Sequence, residues 1–282
     1  MARAAPVEDE VVLPYGAALN ARGTSYTVNW KSSDIPDPEG YAAVFEKRAA
    51  EYDYAMKFAP RARDAEFTAL LEPLSEFSPG LVCDIPAGGG YLAPYLRPGF
   101  EYLGVEPTSE FLTAWPAELK KVSSGMTDVP LADGSVDYIV SLAGLHHEPD
   151  LRPVFGEFRR IVRDSGRVIV SDAAAGTAPA SFLNGFVDEN NPLGHDGRFL
   201  DDTTASLLVA AGFAIREDRL VDVPWSFGSM TEAGEFCRHL FGTSSLDADE
   251  VARALDREIG FDWSDDRPHL KWTLRRIICD PA

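Results

Sequence analysis

The sequence predicts an α/β fold: a doubly wound, mostly parallel sheet with an antiparallel edge strand, an N-terminal helical cover and C-terminal cap elements. Three observations carry this. Short apolar runs alternate with helical patterns from residue 81 to about 221, the rhythm of a parallel sheet with crossover helices. Val136–Leu142 is almost wholly apolar, as a strand covered on both faces must be. Leu270, Trp272 and Leu274 alternate with Lys271, Thr273 and Arg275, the period of a half-exposed strand reached only after a long excursion.

Residues 1–40 read as an irregular arm broken by Pro14, Gly16, Gly23, Pro36 and Pro38, yet Tyr15, Tyr26 and Trp30 argue that part of it packs on the body. Residues 41–80 form a helical cover: one helix over Tyr41–Phe58, and a second from Arg61 that aligns Phe67, Leu70, Leu71 and Leu74 and is kinked or ended by Pro73. The core spans 81–221. Its elements are a strand at Leu81–Ile85, a glycine turn, a helix at Tyr91–Leu96 with Pro94 in its first turn, and a strand at Tyr102–Val105. A short helix over Thr108–Trp115 follows, with Thr108 as candidate cap, then a weak strand near Val122 and the strand Val136–Leu142. Leu151, Val154, Phe155, Phe158, Ile161 and Val162 mark one face of a long helix, ended by Asp164-Ser165-Gly166 before a fifth strand at Arg167–Val170.

Residues 173–200 are too long and too rich in Gly, Asn and Pro for a plain connection, and read as a lid insertion. Asp201 and Asp202 cap a helix carrying Leu207, Leu208 and Ala211, ended by Gly212, before a strand at Phe213–Val221. Residues 222–282 read as a helical excursion with helices at Thr231–Phe241 and Ala248–Ile259, then the final edge strand. His239 reads as a boundary histidine, and Trp263 and Trp272 as packing against the sheet edge.

Composition narrows the function. A chain of 282 residues with 45% hydrophobic and 25% charged residues is that of a soluble globular protein. A net charge of −19 repels phosphate backbones and anionic lipid, so neither nucleic acid nor a membrane surface is an expected partner. No stretch approaches the roughly 20 apolar residues of a membrane span. Three scattered cysteines, Cys83, Cys237 and Cys279, form neither a disulfide framework nor a zinc motif and fit a reducing cytoplasm. No His, Cys or Asp cluster has metal-ligand spacing, so no metal is expected. A monomer or a homodimer is expected.

The chemistry starts at Val82-Cys83-Asp84-Ile85-Pro86-Ala87-Gly88-Gly89-Gly90-Tyr91-Leu92, where an apolar strand stops at an acid and glycines let backbone approach a ligand. Gly88 to Ala93 fits the dinucleotide fingerprint G-x-G-x-x-A. Glu106 ends the next strand close to the usual spacing of about 20 residues, and a carboxylate there accepts two hydrogen bonds from a ribose diol. Nicotinamide dinucleotides and S-adenosylmethionine both offer that diol.

Downstream residues separate the two. Asp128-Val129-Pro130-Leu131-Ala132-Asp133-Gly134-Ser135-Val136-Asp137-Tyr138, followed by Leu145-His146-His147-Glu148-Pro149-Asp150, resembles class I S-adenosylmethionine-dependent methyltransferases of the quinone and small-molecule branch. The resemblance covers about residues 41–220. It implies a Rossmann-like methyltransferase fold, S-adenosylmethionine as cofactor and S-adenosylhomocysteine as product. It implies that Asp84, Gly88 and Gly90 hold the methionine end, with Pro86 and Ala87 in the same turn. Glu106, followed by Pro107, would hold the ribose; Gly125, Met126 and Thr127 would lie beside the adenine. Leu142 and Ala143 would flank the sulfonium, and Tyr52 would cover the cofactor. Two positions depart from the family pattern: Pro86 stands where a glycine is usual, and Gly125 where an adenine-binding acid is frequent.

His146 and His147 are candidate general bases for the acceptor's proton, since imidazole titrates near neutrality, and Asp172 at the end of the fifth strand could orient one of them. Phe182, Phe186, His195 and Trp225 are candidate contacts to the acceptor, with Phe199 and Phe227 nearby. The reading is an S-adenosylmethionine-dependent methyltransferase for a small-molecule acceptor, by O-, N- or C-methylation, plausibly in secondary metabolism. The alternatives are an NAD(P)-dependent oxidoreductase and a methyltransferase-fold protein that transfers no methyl group.

Overall fold

The computed structural model describes residues 40–282 and, in the arm, the backbone of two short antiparallel strands, β1 (Ala17–Leu19) and β2 (Ser25–Thr27). The expected packing of the arm's aromatics lies outside the described residues.

Seven strands make the main sheet: β3 (Leu81–Asp84), β4 (Glu101–Glu106), β5 (Lys120–Ser123), β6 (Val136–Leu142), β7 (Val162–Asp172), β8 (Phe213–Asp222) and β12 (Thr273–Pro281). Their order is β5-β4-β3-β6-β7-β12-β8. The pairings from β5 across to β7 are parallel, and β12 runs antiparallel to both its neighbours. The α/β class expected from the sequence holds. The antiparallel strand sits one place inside the edge, wedged between β7 and β8. Its centre is covered on both faces, and its one deeply buried charge, Arg276, is paired with Glu217 and Glu72.

Four local expectations are corrected. The alternating run around Trp272 is not one strand. β11 (Arg267–Leu270) pairs with β10 (Phe261–Ser264) and β9 (Trp225–Ser226) in a small second sheet, and the chain turns at Lys271 and Trp272 before entering β12. Trp263 is 61% exposed and Trp272 is buried, so only the latter packs inward. The helix expected at Tyr91–Leu96 is a single 3₁₀ turn, Ala93–Tyr95; Pro98 keeps Arg97 out of the helical region, so the turn cannot lengthen into a helix. Asp164-Ser165-Gly166 does not separate helix from strand but lies within β7, where a Cβ on Gly166 would come within 2.4 Å of the Asp137 carbonyl.

Helix α1 (Gly40–Phe58) lies over the carboxyl ends of the strands, its Tyr41, Phe45 and Ala49 in one core and its Ala55 and Met56 in the other. α2 (Asp64–Leu71) ends in a 3₁₀ turn containing Pro73. α3 (Ser109–Thr113) starts after Thr108, whose side chain does not cap it. α4 (Leu151–Ile161) is capped by Asp150 and buries Val154, Phe155, Phe158 and Ile161 on one sheet face. The 173–200 insertion folds as α5 (Ala178–Phe182), a π turn (Leu183–Val187) and α6 (Asp188–Asn190), closed at its base by a bridge between Ala174 and Leu200. α7 (Thr204–Ala210) packs on α4 and β8. α8 (Met230–Leu240) and α9 (Ala248–Glu258) cover the other face and cross so closely that a Cβ on Gly234 would lie 1.9 Å from the Ala248 carbonyl. No helix of the described residues is long and apolar enough to cross a membrane.

Candidate active site

β3 connects onward to β4 and β5 on one side, while β6 connects to β7 on the other. The crevice at the carboxyl ends of β3 and β6 is therefore the switch point where open α/β sheets place ligands. Asp84, Leu142 and Asp172 end β3, β6 and β7 there. α1 roofs the crevice with Tyr41, Phe45, Arg48 and Tyr52, one helical face at spacings of four, three and four.

The first cavity has Asp84, Pro86, Ala87, Gly88, Leu142 and Ala143 along its floor. The second is lined by His146, His147, Asp172 and His195 and walled by Trp225, Phe241 and Trp272. Both share Phe45, Tyr52, Arg63 and Ala143, so they adjoin. Ala143 has a φ of +49°, a left-handed conformation that is costly for a residue with a Cβ and that gathers at functional sites. Gly144 follows because a Cβ there would lie 2.5 Å from Pro86 Cγ.

Two buried carboxyls flank the glycine turn and differ in satisfaction. Glu106 is fully buried and accepts from the Gly88 N–H at 2.8 Å, the Thr108 N–H at 2.9 Å and the Tyr41 hydroxyl at 3.2 Å. Asp84 is 3% exposed and accepts from the Tyr102 hydroxyl at 2.9 Å on Oδ2. Burial pushes both up to about 7; the donors on Glu106 and the Tyr102 hydroxyl on Asp84 pull the other way.

In the second cavity His146 Nδ1 lies 2.6 Å from Asp172 Oδ1, and its backbone N–H donates to Asp172 Oδ2 at 3.1 Å. The carboxylate thus fixes the ring and leaves Nε2 for the cavity. His195 Nδ1 lies 2.9 Å from Asn184 Oδ1, and its backbone N–H donates to Asp188 at 2.7 Å, so the lid's π turn and α6 hold this ring. The flanking glycines have a physical reason: Gly194 has a φ of +69°, and a Cβ on Gly197 would lie 2.8 Å from the His195 ring. Burial, then the other imidazoles and Arg48, hold His147 well below the ordinary histidine range; burial, then His146 and Arg48, push His195 down to about 3. Both are neutral at pH 7.

Arg63 stands between the cavities. It pairs with Glu66 at 2.5 Å, donates to the Tyr52 hydroxyl and lies 5.3 Å over the Trp225 ring, whose Nε1 donates to Glu66 at 2.8 Å. Burial alone would lower its pKa, but Glu66 and Tyr52 hold it charged and raise it. Arg48 is nine-tenths buried and donates to the Leu240 carbonyl, and its Nε has no hydrogen-bond partner among the described residues; burial pulls it down to about 10.

Of the residues singled out from sequence, Asp84, Pro86, Ala87, Gly88, Leu142, Ala143 and Tyr52 line the first cavity, and His146, His147, Asp172, His195 and Trp225 the second. Gly90 faces Leu119 and Trp115, Glu106 lies behind the turn, and Pro107, Gly125, Met126 and Thr127 line neither cavity. Phe182 and Phe186 do not line the second cavity. They stack on each other at 5.1 Å, with Phe182 against Phe241, one layer behind the wall. The lid folds His195 against His146 and His147, with one nitrogen of each ring within 4.8 Å of the others, a gathering that spacing along the sequence does not reveal. Sequence reasoning missed Tyr41, Phe45, Arg48, Arg63 and Trp272. The signal for the first three was present: an arginine inside the stripe 41, 45, 48, 52 of an otherwise apolar helix face.

S-adenosylmethionine fits the methionyl end. Asp84 keeps acceptor capacity for an ammonium, and Gly88, with a φ of +55°, turns the backbone along the cavity. Glu106 already accepts from the Tyr41 hydroxyl, so a ribose diol there would have to exchange one O–H donor for another.

Comparison with known proteins agrees with this architecture. Residues 83–170 match the family described as "Methyltransferase domain". An uncharacterized methyltransferase of Mycobacterium sp. (strain KMS) is 35% identical over 108 residues, 36% of this chain and 43% of that protein. A demethylmenaquinone methyltransferase of Thermotoga maritima is 26% identical over 134 residues, 45% of this chain and 58% of that protein. The chain thus spans about half the length of the curated relatives it matches. Among solved structures, the [4+2]-cyclase SpnF superposes with a TM-score of 0.59 at 13% identity, over 88% of this chain and 99% of that one, a likeness of fold.

Proposed function

We propose that this chain, which carries a class I methyltransferase domain on the methyltransferase fold, transfers the methyl group of S-adenosylmethionine to an oxygen, nitrogen or carbon of a small molecule. We place it in the cytoplasm, as a monomer or homodimer, in secondary metabolism. One observation carries the reading: the cavity at the glycine turn adjoins an aromatic-walled cavity that holds a carboxylate-oriented histidine, and Ala143 lies in the shared wall. A methyl transfer needs a cofactor floor and an acceptor chamber meeting at one point, with proton handling on the acceptor side.

When bound, S-adenosylmethionine supplies an electrophilic methyl group. Asp84 and the Gly88 backbone would hold its methionyl end, Glu106 its ribose, and Leu142 and Ala143 would flank the sulfonium. Trp225, Trp272 and Phe241 would stack on a flat apolar acceptor and exclude water; the two tryptophans already stack at 4.3 Å. His146, held by Asp172, would take the acceptor's proton at Nε2. The dinucleotide alternative loses support because the helix whose N-terminus would seat a pyrophosphate is one 3₁₀ turn. The non-transferring alternative draws on the Tyr41–Glu106 contact and on the likeness to a cyclase.

The test is thermal unfolding with S-adenosylmethionine, S-adenosylhomocysteine and NAD added separately. A ligand at about 100 times its Kd adds roughly 2.7 kcal/mol to the folded state, a shift of about 5 °C in a chain of this size. A shift with both adenosyl compounds and none with NAD is expected. A shift with NAD alone overturns the reading. Adenosyl binding without turnover across an acceptor library favours the non-transferring alternative.

A further inference from the structure

We propose that His146, His147 and His195 form a mononuclear site for a divalent transition metal of the zinc type, its open position facing the acceptor cavity. One nitrogen from each ring lies within 4.8 Å of the others. A bound ion with metal–nitrogen distances of about 2.0–2.1 Å would hold three such nitrogens roughly 3.4 Å apart, so the rings need close by only about an ångström. Two of the three are already oriented as ligands: Asp172 on His146 Nδ1 and Asn184 on His195 Nδ1 leave each Nε2 pointing away from its support. A carboxylate behind one ligating imidazole and an amide oxygen behind another is the outer shell that metal-binding histidines require.

The donor set selects the ion. Three imidazole nitrogens suit zinc, cobalt, iron or nickel and not magnesium or calcium, which take oxygen. Two ligands come from the turn after β6 and the third from the lid, so a bound ion would pin the lid to the sheet. Three protein ligands leave a position for an exogenous group, as in catalytic rather than structural sites. Arg48 lines the same cavity and disfavours a bare dication, while Asp172 offsets it; an anionic oxygen on the ion would complete the charge balance. The acceptor class is therefore one with a phenolic, enolic or carboxylate oxygen. With the ion bound, the His146 lone pair is no longer a base, and the cation itself would make a coordinated hydroxyl more acidic, its proton leaving to water. Only this last role rests on the methyl-transfer reading; ion binding does not.

The experiment uses the untagged full chain, stripped with EDTA and titrated with cobalt(II) chloride under visible absorption, with zinc(II) chloride as competitor. A ligand-field band that saturates at one equivalent and is displaced by zinc is expected. His195→Ala and the milder His195→Gln should remove it, and Asp172→Asn should weaken cobalt binding about 10- to 100-fold. Thermal melts establish that each variant is folded. No band, or a band unchanged in His195→Gln, overturns the site. S-adenosylhomocysteine binding is measured by calorimetry on the same stripped protein: binding without a band rejects the metal and leaves the methyl-transfer reading intact, and a band without binding does the reverse.

Discussion

The two cavities meet at Ala143 but are made differently. The floor of the first is largely one stretch of chain, Asp84 to Leu92, completed by Leu142 and Ala143 from the neighbouring strand. Backbone does most of its work, through a glycine turn and strand ends. The second draws on α1, the start of α2, the turns after β6 and β7, the lid, β9, the end of α8 and the last turn before β12. Side chains do its work, and they come from short segments spread along the chain from Phe45 to Leu274. A site for an invariant cofactor can be local because main-chain groups bind it, whereas a site for a particular acceptor is gathered from loops on a rigid frame. Variants at residues of one cavity or of both separate the two roles.

The largest expected effect comes from His146→Ala. If the second cavity alone carries proton handling, turnover falls about 10²–10⁴-fold, while the thermal shift with S-adenosylhomocysteine stays as in the parent chain. A matched loss of ligand shift and turnover would show that the cavities do not divide the labour. Arg63→Ala should breach the division from the other side. Arg63 lines both cavities and neutralises Glu66, which is 1% exposed. Removing it leaves a buried charge without its partner, at a cost of about 3–5 kcal/mol, read by denaturant unfolding. Glu66→Gln in the same background should recover part of the loss, because Trp225 can still donate to the amide oxygen. No recovery would mean that packing and not charge accounts for the effect.

The cavities also pull stability in opposite directions with pH. Asp84 and Glu106, pushed up to about 7 by burial, keep their protons in the folded chain after the unfolded chain has lost them near pH 4. Their contribution is therefore full below about pH 4 and falls as pH rises through 7. His147 and His195 are lowered, so the folded chain stays neutral where the unfolded one protonates. Their contribution is full above about 6.5 and is lost as pH falls, for His195 through about 3. In the ligand-free chain the two slopes oppose each other between about pH 4 and 6.5. Asp84→Asn should make stability rise more steeply with pH across that window, and His195→Gln should make it fall, each by about 1.4 kcal/mol per pKa unit removed. Denaturant unfolding at several pH values decides. Equal profiles for the two variants would refute the opposition.

The same contrast explains what the sequence could tell. The strand rhythm, the buried run of β6 and the helix stripe of α4 are local periodicities, and they located the sheet and the lid insertion. That Asp84 and Gly88 line one cavity was legible because the glycine-turn motif is contiguous, whereas Ala143 was reached only through the resemblance. The short 3₁₀ turn was misread as a helix because Pro98, which keeps Arg97 out of the helical region, outweighs a run of good helix formers. The place of β12 inside the sheet was not legible, since a period of two gives a strand but not its neighbours. The histidine trio was invisible for the same reason: His195 is 48 positions from His147, and the lid is folded back by the bridge at Ala174 and Leu200 and by the Arg198 N–H, which donates to the His146 carbonyl at 2.7 Å. Phe182 and Phe186 were assigned to the acceptor because aromatic residues in a lid look alike in sequence whether they face a cavity or support the wall behind it.

The smallest expected effect tests the point where the cavities join. Ala143 holds a left-handed conformation that costs an L-residue about 1–2 kcal/mol, and glycine adopts it freely. Glycine also brings back unfolded-state entropy worth about 0.5–1 kcal/mol. The balance favours Ala143→Gly by about 0.5 kcal/mol, measurable as a shift of the denaturant midpoint. If the strained residue sets the aperture between cofactor and acceptor, the same variant should lose turnover while gaining stability, since the methyl carbon on the side chain narrows the passage and fixes the line of approach. A gain in stability with unchanged turnover would make the strain incidental to catalysis. A loss of stability would mean that the Ala143 methyl is held by contacts with Pro86, Phe45 and Tyr52 worth more than the backbone cost, and that the shared wall is a packed joint instead of a tuned opening.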